Sequence, residues 1–110
     1  MIRSSWSADI SVLGGTATVA LGGELDQLAA DQLRLLLLAL LDRPGITEVV
    51  ASLAAVTFLG SGALGALVLA YRHARELGRR FVVTQPGRPV RRVLEIGGVV
   101  EILVAPAPRA

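Results

Sequence analysis

The 110-residue sequence predicts an α/β fold, a single domain with a mixed four- to five-stranded sheet and helices packed mainly on one face. Three observations carry that expectation. Apolar residues alternate at Ile10 and Val12, and again at Ala17, Val19 and Leu21, on either side of Gly14-Gly15, the pattern of a short antiparallel hairpin. From Leu28 to Leu41 the apolar residues recur instead at helical spacing, and after that extended and helical segments alternate as far as Gly97-Gly98. Strands joined through helices run parallel, so the hairpin adds an antiparallel pair to a parallel sheet.

The first helix follows L-G-G-E-L-D. Asp26 is its N-cap, Leu28, Leu33, Leu36, Leu37, Leu40 and Leu41 form its apolar stripe, and Arg43-Pro44-Gly45 ends it. Ile46 to Leu53 is the apolar, β-branched run of a central strand, and Val56, Thr57 and Phe58 also favour extended backbone. Near Gly60 and Ser61 the period changes. Leu64, Leu67, Val68 and Tyr71 mark a second helix that runs from Ser61 to Leu77, with Gly78 at C′. Phe81 to Thr84 is the next strand and Gln85-Pro86-Gly87 a loop. Pro89 opens a third helix at its first position, with Val90, Val93 and Leu94 inward and Gly97-Gly98 as the stop. Val99 to Val104 is a short strand or a helical turn. The domain is drawn over residues 1–104, and Ala105 to Ala110 is read as a loose Pro/Ala tail. A sheet covered on one side needs the hairpin, the tail or a second molecule over its other face, which makes a homodimer one expectation.

Hydrophobic residues make up 53% of the chain and charged ones 18%, a balance that argues against disorder. The net charge of +2 conceals a division, since residues 1–55 carry three Arg against six acids and residues 56–110 carry eight Arg against three Glu. With no cysteine, disulfides, thiolate metal sites and thiol nucleophiles are excluded, and the cytoplasm is the expected location. The opening M-I-R-S-S-W-S-A-D-I lacks the apolar stretch and cleavage site of a secretory signal, so no export is expected. Val49 to Tyr71 is an uncharged run of 23 residues, long enough to cross a bilayer. Its central Leu-Gly-Ser-Gly break and its change of period argue instead for a buried strand followed by a buried helix, with no stable membrane insertion.

Several chemistries fail on spacing. Leu59 and Ala63 stand where a G-x-S-x-G nucleophile elbow needs glycines, and the one histidine, His73, is read as a solvated helix residue that leaves a hydrolase built on Ser61 without a base. One His and scattered carboxylates form no metal cluster, and no Gly-rich segment carries a Walker Lys-Ser/Thr pair. No cofactor, no metal and no enzymatic activity are expected. Arg72, Arg75 and Arg79 share a helix face, followed by Arg80, Arg88, Arg91 and Arg92, but Glu76 and Glu95 are spaced to pair with them and no aromatic residue interleaves to stack bases. A solvated face or an acidic partner is the reading, and no nucleic acid is expected.

The informative stretch is V-T-F-L-G-S-G-A-L-G, Val56 to Gly65. A serine at a helix start points its hydroxyl toward the unpaired N–H groups of the first turn, and a phosphate added there meets the positive end of the helix dipole. Three readings of Ser61 stand together: a regulated phosphoacceptor, a helix N-cap, and a relic in a module with another task.

The order of elements, with L-G-G-E-L-D (Leu21 to Asp26), the Glu48 to Gly65 segment, A-Y-R-H-A-R-E-L-G-R-R (Ala70 to Arg80) and P-V-R-R-V-L-E-I-G-G (Pro89 to Gly98), resembles the STAS domain over nearly the whole chain, in particular the bacterial anti-sigma factor antagonists. The resemblance implies a non-enzymatic module that sequesters an anti-sigma factor, itself a serine kinase, and so frees a sigma factor. It implies that phosphorylation of the serine matched by Ser61 ends the binding, and that the partner docks on Asp26, Gly60, Ser61, Gly62 and Gly65. Small residues at 62 and 65 would let a partner's backbone approach closely. Two positions depart from the family's pattern, because Gly60 replaces the acid that usually precedes the serine and Ser52 replaces an acid expected at the end of the preceding strand. Those departures speak for the alternative, a divergent STAS scaffold in another signalling or lipid-transport assembly that is not phosphorylated.

Overall fold

In the computed structural model, which describes residues 5–105, the chain runs β1 (Trp6–Leu13), β2 (Thr16–Leu25), α1 (Gln27–Asp42), β3 (Glu48–Leu59), α2 (Ser61–Glu76), β4 (Arg80–Thr84), α3 (Arg88–Ile96) and α4 (Val100–Leu103). The four strands form one sheet in the order β1-β2-β3-β4, antiparallel between β1 and β2 and parallel elsewhere. The mixed sheet expected from the sequence is present. Gly14-Gly15 makes the hairpin turn, with φ +61 at Gly14, a conformation that L side chains resist.

Register explains which face is covered. Ala17, Val49 and Phe81 lie side by side across the sheet, as do Val19, Ala51 and Val83, and all six are buried. Between them Thr18, Val50 and Val82 form the next row and are only half-buried, and Ala20, Ser52 and Thr84 follow. The outer face is thus built largely from Thr, Ser and Ala, which tolerate water in a way that a row of leucines would not. The covered face meets Leu33, Leu37, Leu40 and Leu41 of α1, and Ala63, Ala66, Leu67, Ala70 and Ala74 of α2, in one core. The alanines let α2 lie close against its neighbours.

Four details differ from the expectation. The central strand is longer than Ile46–Leu53 and reaches Leu59, with register irregularities against β2 between Ala20 and Gly22 and between Gly23 and Glu24. The first irregularity sets Leu53 and Ala54 opposite Leu21 and the second skips Thr57, extra residues that apolar patterning alone does not separate from a turn. The third helix begins at Arg88 with Gly87 as N-cap, so Pro89 is its second residue rather than its first. Pro is tolerated there because the second N–H of a helix has no intrahelical partner either. The segment after Gly98 is both of the alternatives in turn, a helical turn at Val100–Leu103 followed by an isolated parallel bridge from Val104 to Val83. The loose tail read from the sequence falls mainly on residues 106–110, outside the described residues, while the amide of Ala105 donates to the carbonyl of Val83 at 2.9 Å.

Helix ends follow local chemistry. After α2, Gly78 takes φ +68, its amide donates to Arg75, and the amide of Arg79 reaches back to Ala74 at 2.8 Å. That pair of bonds is a Schellman stop, as the glycine predicts. The run from Val49 to Tyr71 divides at Gly60 between β3 and α2, and among the described residues no helix is long and apolar enough to cross a membrane.

Candidate functional site

The β2–α1 and β3–α2 junctions lie next to one another at the C-terminal ends of two parallel strands, and the amide of Gly60 donates to the carbonyl of Leu25 at 3.0 Å. This places the starts of α1 and α2 in one surface. Asp26 is the N-cap of α1, where its Oδ1 accepts from the amide of Ala29 at 3.0 Å and its side chain is half-buried. The N-cap expectation holds for Asp26.

For Ser61 the N-cap reading is corrected. Gly60 occupies the cap, with extended backbone, and Ser61 is the first helical residue and exposed. The cap has no side chain, the first turn contains no acid, and the first intrahelical bond runs from Leu64 to Gly60 at 3.0 Å. The amides of the first turn therefore keep their positive character uncapped beside an open hydroxyl.

The glycines divide by direction. A Cβ at Gly62 would lie 2.9 Å from Oε1 of Gln27 and 3.1 Å from Cβ of Ala30, so its bare backbone seats α1 against α2. A Cβ at Gly65 would meet nothing within 4 Å, and Gly65 is exposed. A Cβ at Gly60 would stand 3.3 Å from the Leu25 carbonyl and 3.4 Å from the Phe58 ring, tight quarters that suit glycine in place of an acid. Ser52 does not stand at the end of its strand; it sits mid-strand on the outer face, and its hydroxyl accepts from the amide of Ala54 at 3.4 Å. It pairs with Ala20 and Thr84 just before the first irregularity.

Between α1 and α2 a groove of about 560 Å³ runs from Ser61 and Gly62 past Gly65 to Arg72, with Gln27, Asp31 and Arg34 along its α1 side. Arg34 and Asp31 approach to 3.9 Å across its edge. Sequence reasoning missed Gln27, Asp31 and Arg34. Their signal was present as a polar stripe at helical spacing, but nothing in one dimension links it to Ser61. Phe58 and Leu28, both exposed large hydrophobics, flank the same two junctions in the chain.

His73 is only partly solvated. Its Nε2 lies 2.6 Å from Oδ1 of Asp42 at the end of α1, and the ring is half-buried, about 18 Å along the helix from Ser61. The arginines divide as well. Arg75 stacks on Tyr71 and donates to its hydroxyl at 3.0 Å, Arg80 pairs with Glu48 at 3.3 Å, and Arg91 pairs with Glu95 at 3.8 Å. Arg79 donates from Nη1 to the carbonyls of Leu41 and Arg43, which closes the C-terminal end of α1. Among the described residues no three His, Cys, Asp or Glu side chains converge.

The family model described as "Mlab, STAS domain" matches residues 9–105. The chain belongs to the STAS domain family. A relative from Paenibacillus polymyxa, an anti-sigma F factor antagonist, is 29% identical over 89 residues, which span 81% of this chain and 76% of that protein. The solved structure of the anti-sigma factor antagonist SpoIIAA in its unphosphorylated form superposes with a TM-score of 0.79 at 21% identity, covering 89% of this STAS domain and 86% of that chain. An anti-sigma factor antagonist from Mycobacterium paratuberculosis also gives a TM-score of 0.79, at 25% identity over 90% of this chain and 83% of that one. The STAS fold expected from the sequence landmarks is thereby established.

Proposed function

We propose that this STAS domain is a cytoplasmic docking module of the anti-sigma factor antagonist type, which binds an anti-sigma factor through the joined starts of α1 and α2. Occupation of the anti-sigma factor frees a sigma factor. The observation that carries the reading is Ser61 itself, an exposed first residue on a helix whose cap lacks a side chain, beside the loop of Asp26. The relatives named as antagonists support the same role.

Gly65 offers an open place for a partner's backbone, and Leu28 and Phe58 offer apolar area near the two junctions. Gly62 serves by holding α1 and α2 at the spacing the groove requires. A kinase partner would place about −1.5 to −2 charges on the Ser61 hydroxyl, and an interface fitted to a neutral surface would be expelled.

A second reading is a STAS scaffold in another signalling or lipid-transport assembly, without phosphorylation. One observation favours it. Gly60 and Ser52 stand where the resemblance leads one to expect acids, and neither position here supplies a charge to a kinase. The experiment is incubation with ATP and a candidate anti-sigma kinase, read by mass spectrometry, together with binding of the Ser61→Asp variant. Phosphate on Ser61 and loss of binding in the variant are expected; an unmodified Ser61 with undiminished binding of the variant would give the second reading.

A further inference from the structure

We propose that the chain pairs with a second copy of itself through β1, edge to edge and antiparallel, about a two-fold axis at Ile10. The inference stands apart from the Ser61 surface. At the opposite edge of the sheet, β4 is partly closed by the bridge from Val104 to Val83 and by the bond from the amide of Ala105. Among the described residues β1 pairs on one side only, with β2.

The direction of its backbone groups can be read from the ladder. The amide of Glu24 donates to the carbonyl of Ser5 at 3.0 Å, and the two-residue turn at Gly14-Gly15 closes the same ladder between Leu13 and Thr16. Odd-numbered residues therefore exchange bonds with β2. In an antiparallel ladder the alternation leaves the N–H and C=O groups of Ala8, Ile10 and Val12 pointing away from the sheet.

The side chains of those same residues lie on the covered face. Ile10 stands opposite Val19 and Val12 opposite Ala17, both fully buried, and Nε1 of Trp6 donates to Oε1 of Gln32 in α1 at 3.2 Å. Yet Ile10 and Val12 are 44% and 43% exposed, and Leu35, one turn beyond Gln32 on α1, is 63% exposed. A row of unpaired backbone groups thus runs beside a band of apolar side chains.

Edge strands ordinarily carry several charges or a proline as protection. The one charge on β1 is Asp9, and that residue chooses the register. An axis at Asp9 would set the two acids face to face, whereas an axis at Ile10 sets each Asp9 opposite the other copy's Ser11. With the axis at Ile10, the two Ile10 residues bond to one another and Ala8 bonds to Val12 on both sides, giving roughly six hydrogen bonds across the seam. The result is a continuous eight-stranded sheet, a closed isologous contact rather than an open stack.

The test is the mass of the full chain by light scattering after size-exclusion chromatography, from micromolar to millimolar, against the 11.5 kDa of one copy. A dimer is expected, and Ile10→Lys, which sets two ammonium groups on the axis, is expected to return the monomer with an unchanged circular dichroism spectrum. Ser11→Arg, exposed and opposite the other copy's Asp9, is expected to tighten the dimer by roughly three- to tenfold, while Ser11→Glu weakens it. A monomer throughout the range overturns the proposal, as does a dimer indifferent to Ile10→Lys or to the sign of charge at position 11. Protection of β1 amides from hydrogen exchange that arises only on addition of an anti-sigma factor would point to a foreign strand at this edge, and would also overturn it.

Discussion

The amide of Gly60 donates to the carbonyl of Leu25 at 3.0 Å, and this single bond ties the chain entering α2 to the chain entering α1. Because β2 and β3 are parallel, the two strands deliver their helix starts to the same end of the sheet. Asp26 and Ser61, far apart in sequence, thereby come to flank one surface. A partner docked on this surface, as proposed, would sense both.

The glycines at 62 and 65 are expected to respond in opposite senses. In Gly62→Leu the added side chain meets Ala30, whose Cβ already lies 3.1 Å from the first added atom, and although Gln27 can swing aside, the helices must part. A loss of about 1–3 kcal/mol is expected in urea unfolding. Gly65→Ala has open space and removes a mid-helix glycine, so a gain of about 0.5–1 kcal/mol is expected, with weaker anti-sigma binding where a partner's backbone packs on that position.

Two variants at Asp26 separate its cap from its charge. Asp26→Ala removes the oxygen that accepts from Ala29 and is expected to cost about 1 kcal/mol. Asp26→Asn keeps an accepting oxygen without the charge, so stability is expected to return. Titration calorimetry of the Asn variant with the anti-sigma factor then measures the carboxylate alone, and an undiminished affinity would show that the partner does not use it.

A negative charge at Ser61 is expected to leave the fold at least as stable. The first turn of α2 has no acid and its cap no side chain, so Ser61→Asp gains about 0.3–1 kcal/mol from the helix dipole at low salt, and less as salt rises. Thermal unfolding read beside the binding assay checks this. A variant that loses both stability and binding would mean that the charge acts by unfolding the helix start.

Arg79 fastens two helices. Its guanidinium donates to the carbonyls of Leu41 and Arg43 at the end of α1, while its own amide completes the stop after α2. Arg79→Ala is expected to cost about 1 kcal/mol in chemical denaturation, since the side chain is only half-buried. Arg79→Lys should restore part of that, since one ammonium, like Nη1, can donate to two carbonyls, but the shorter stem and the more strongly hydrated charge reach them less well.

Much of this molecule is decided within short stretches of chain. The hairpin at Gly14-Gly15, the Asp26 cap, the leucine stripe of α1 from Leu33 to Leu41 and the Gly78 stop each depend on residues a few positions apart, and periodicity with turn chemistry suffices to read them, though it also puts the exposed Leu28 in the stripe. Ser61 at a strand-to-helix junction was legible for the same reason. What the sequence alone did not separate was the cap from the first helical residue, since Gly60 and Ser61 both suit a helix start, or Pro89 at the first position from Pro89 at the second.

Tertiary structure decided everything that depends on which elements meet. Gly62 faces α1 and Gly65 faces open space, though both are glycines in one helix turn. His73 finds Asp42 and Arg79 finds the end of α1 because α1 and α2 pack side by side, and Ser52 takes the outer face because the register sets it in a row with Ala20 and Thr84. Local sequence sets backbone conformation through sterics and hydrogen bonding between near neighbours. The direction in which a side chain points, and what waits for it there, is set by sheet register and helix packing over the whole chain.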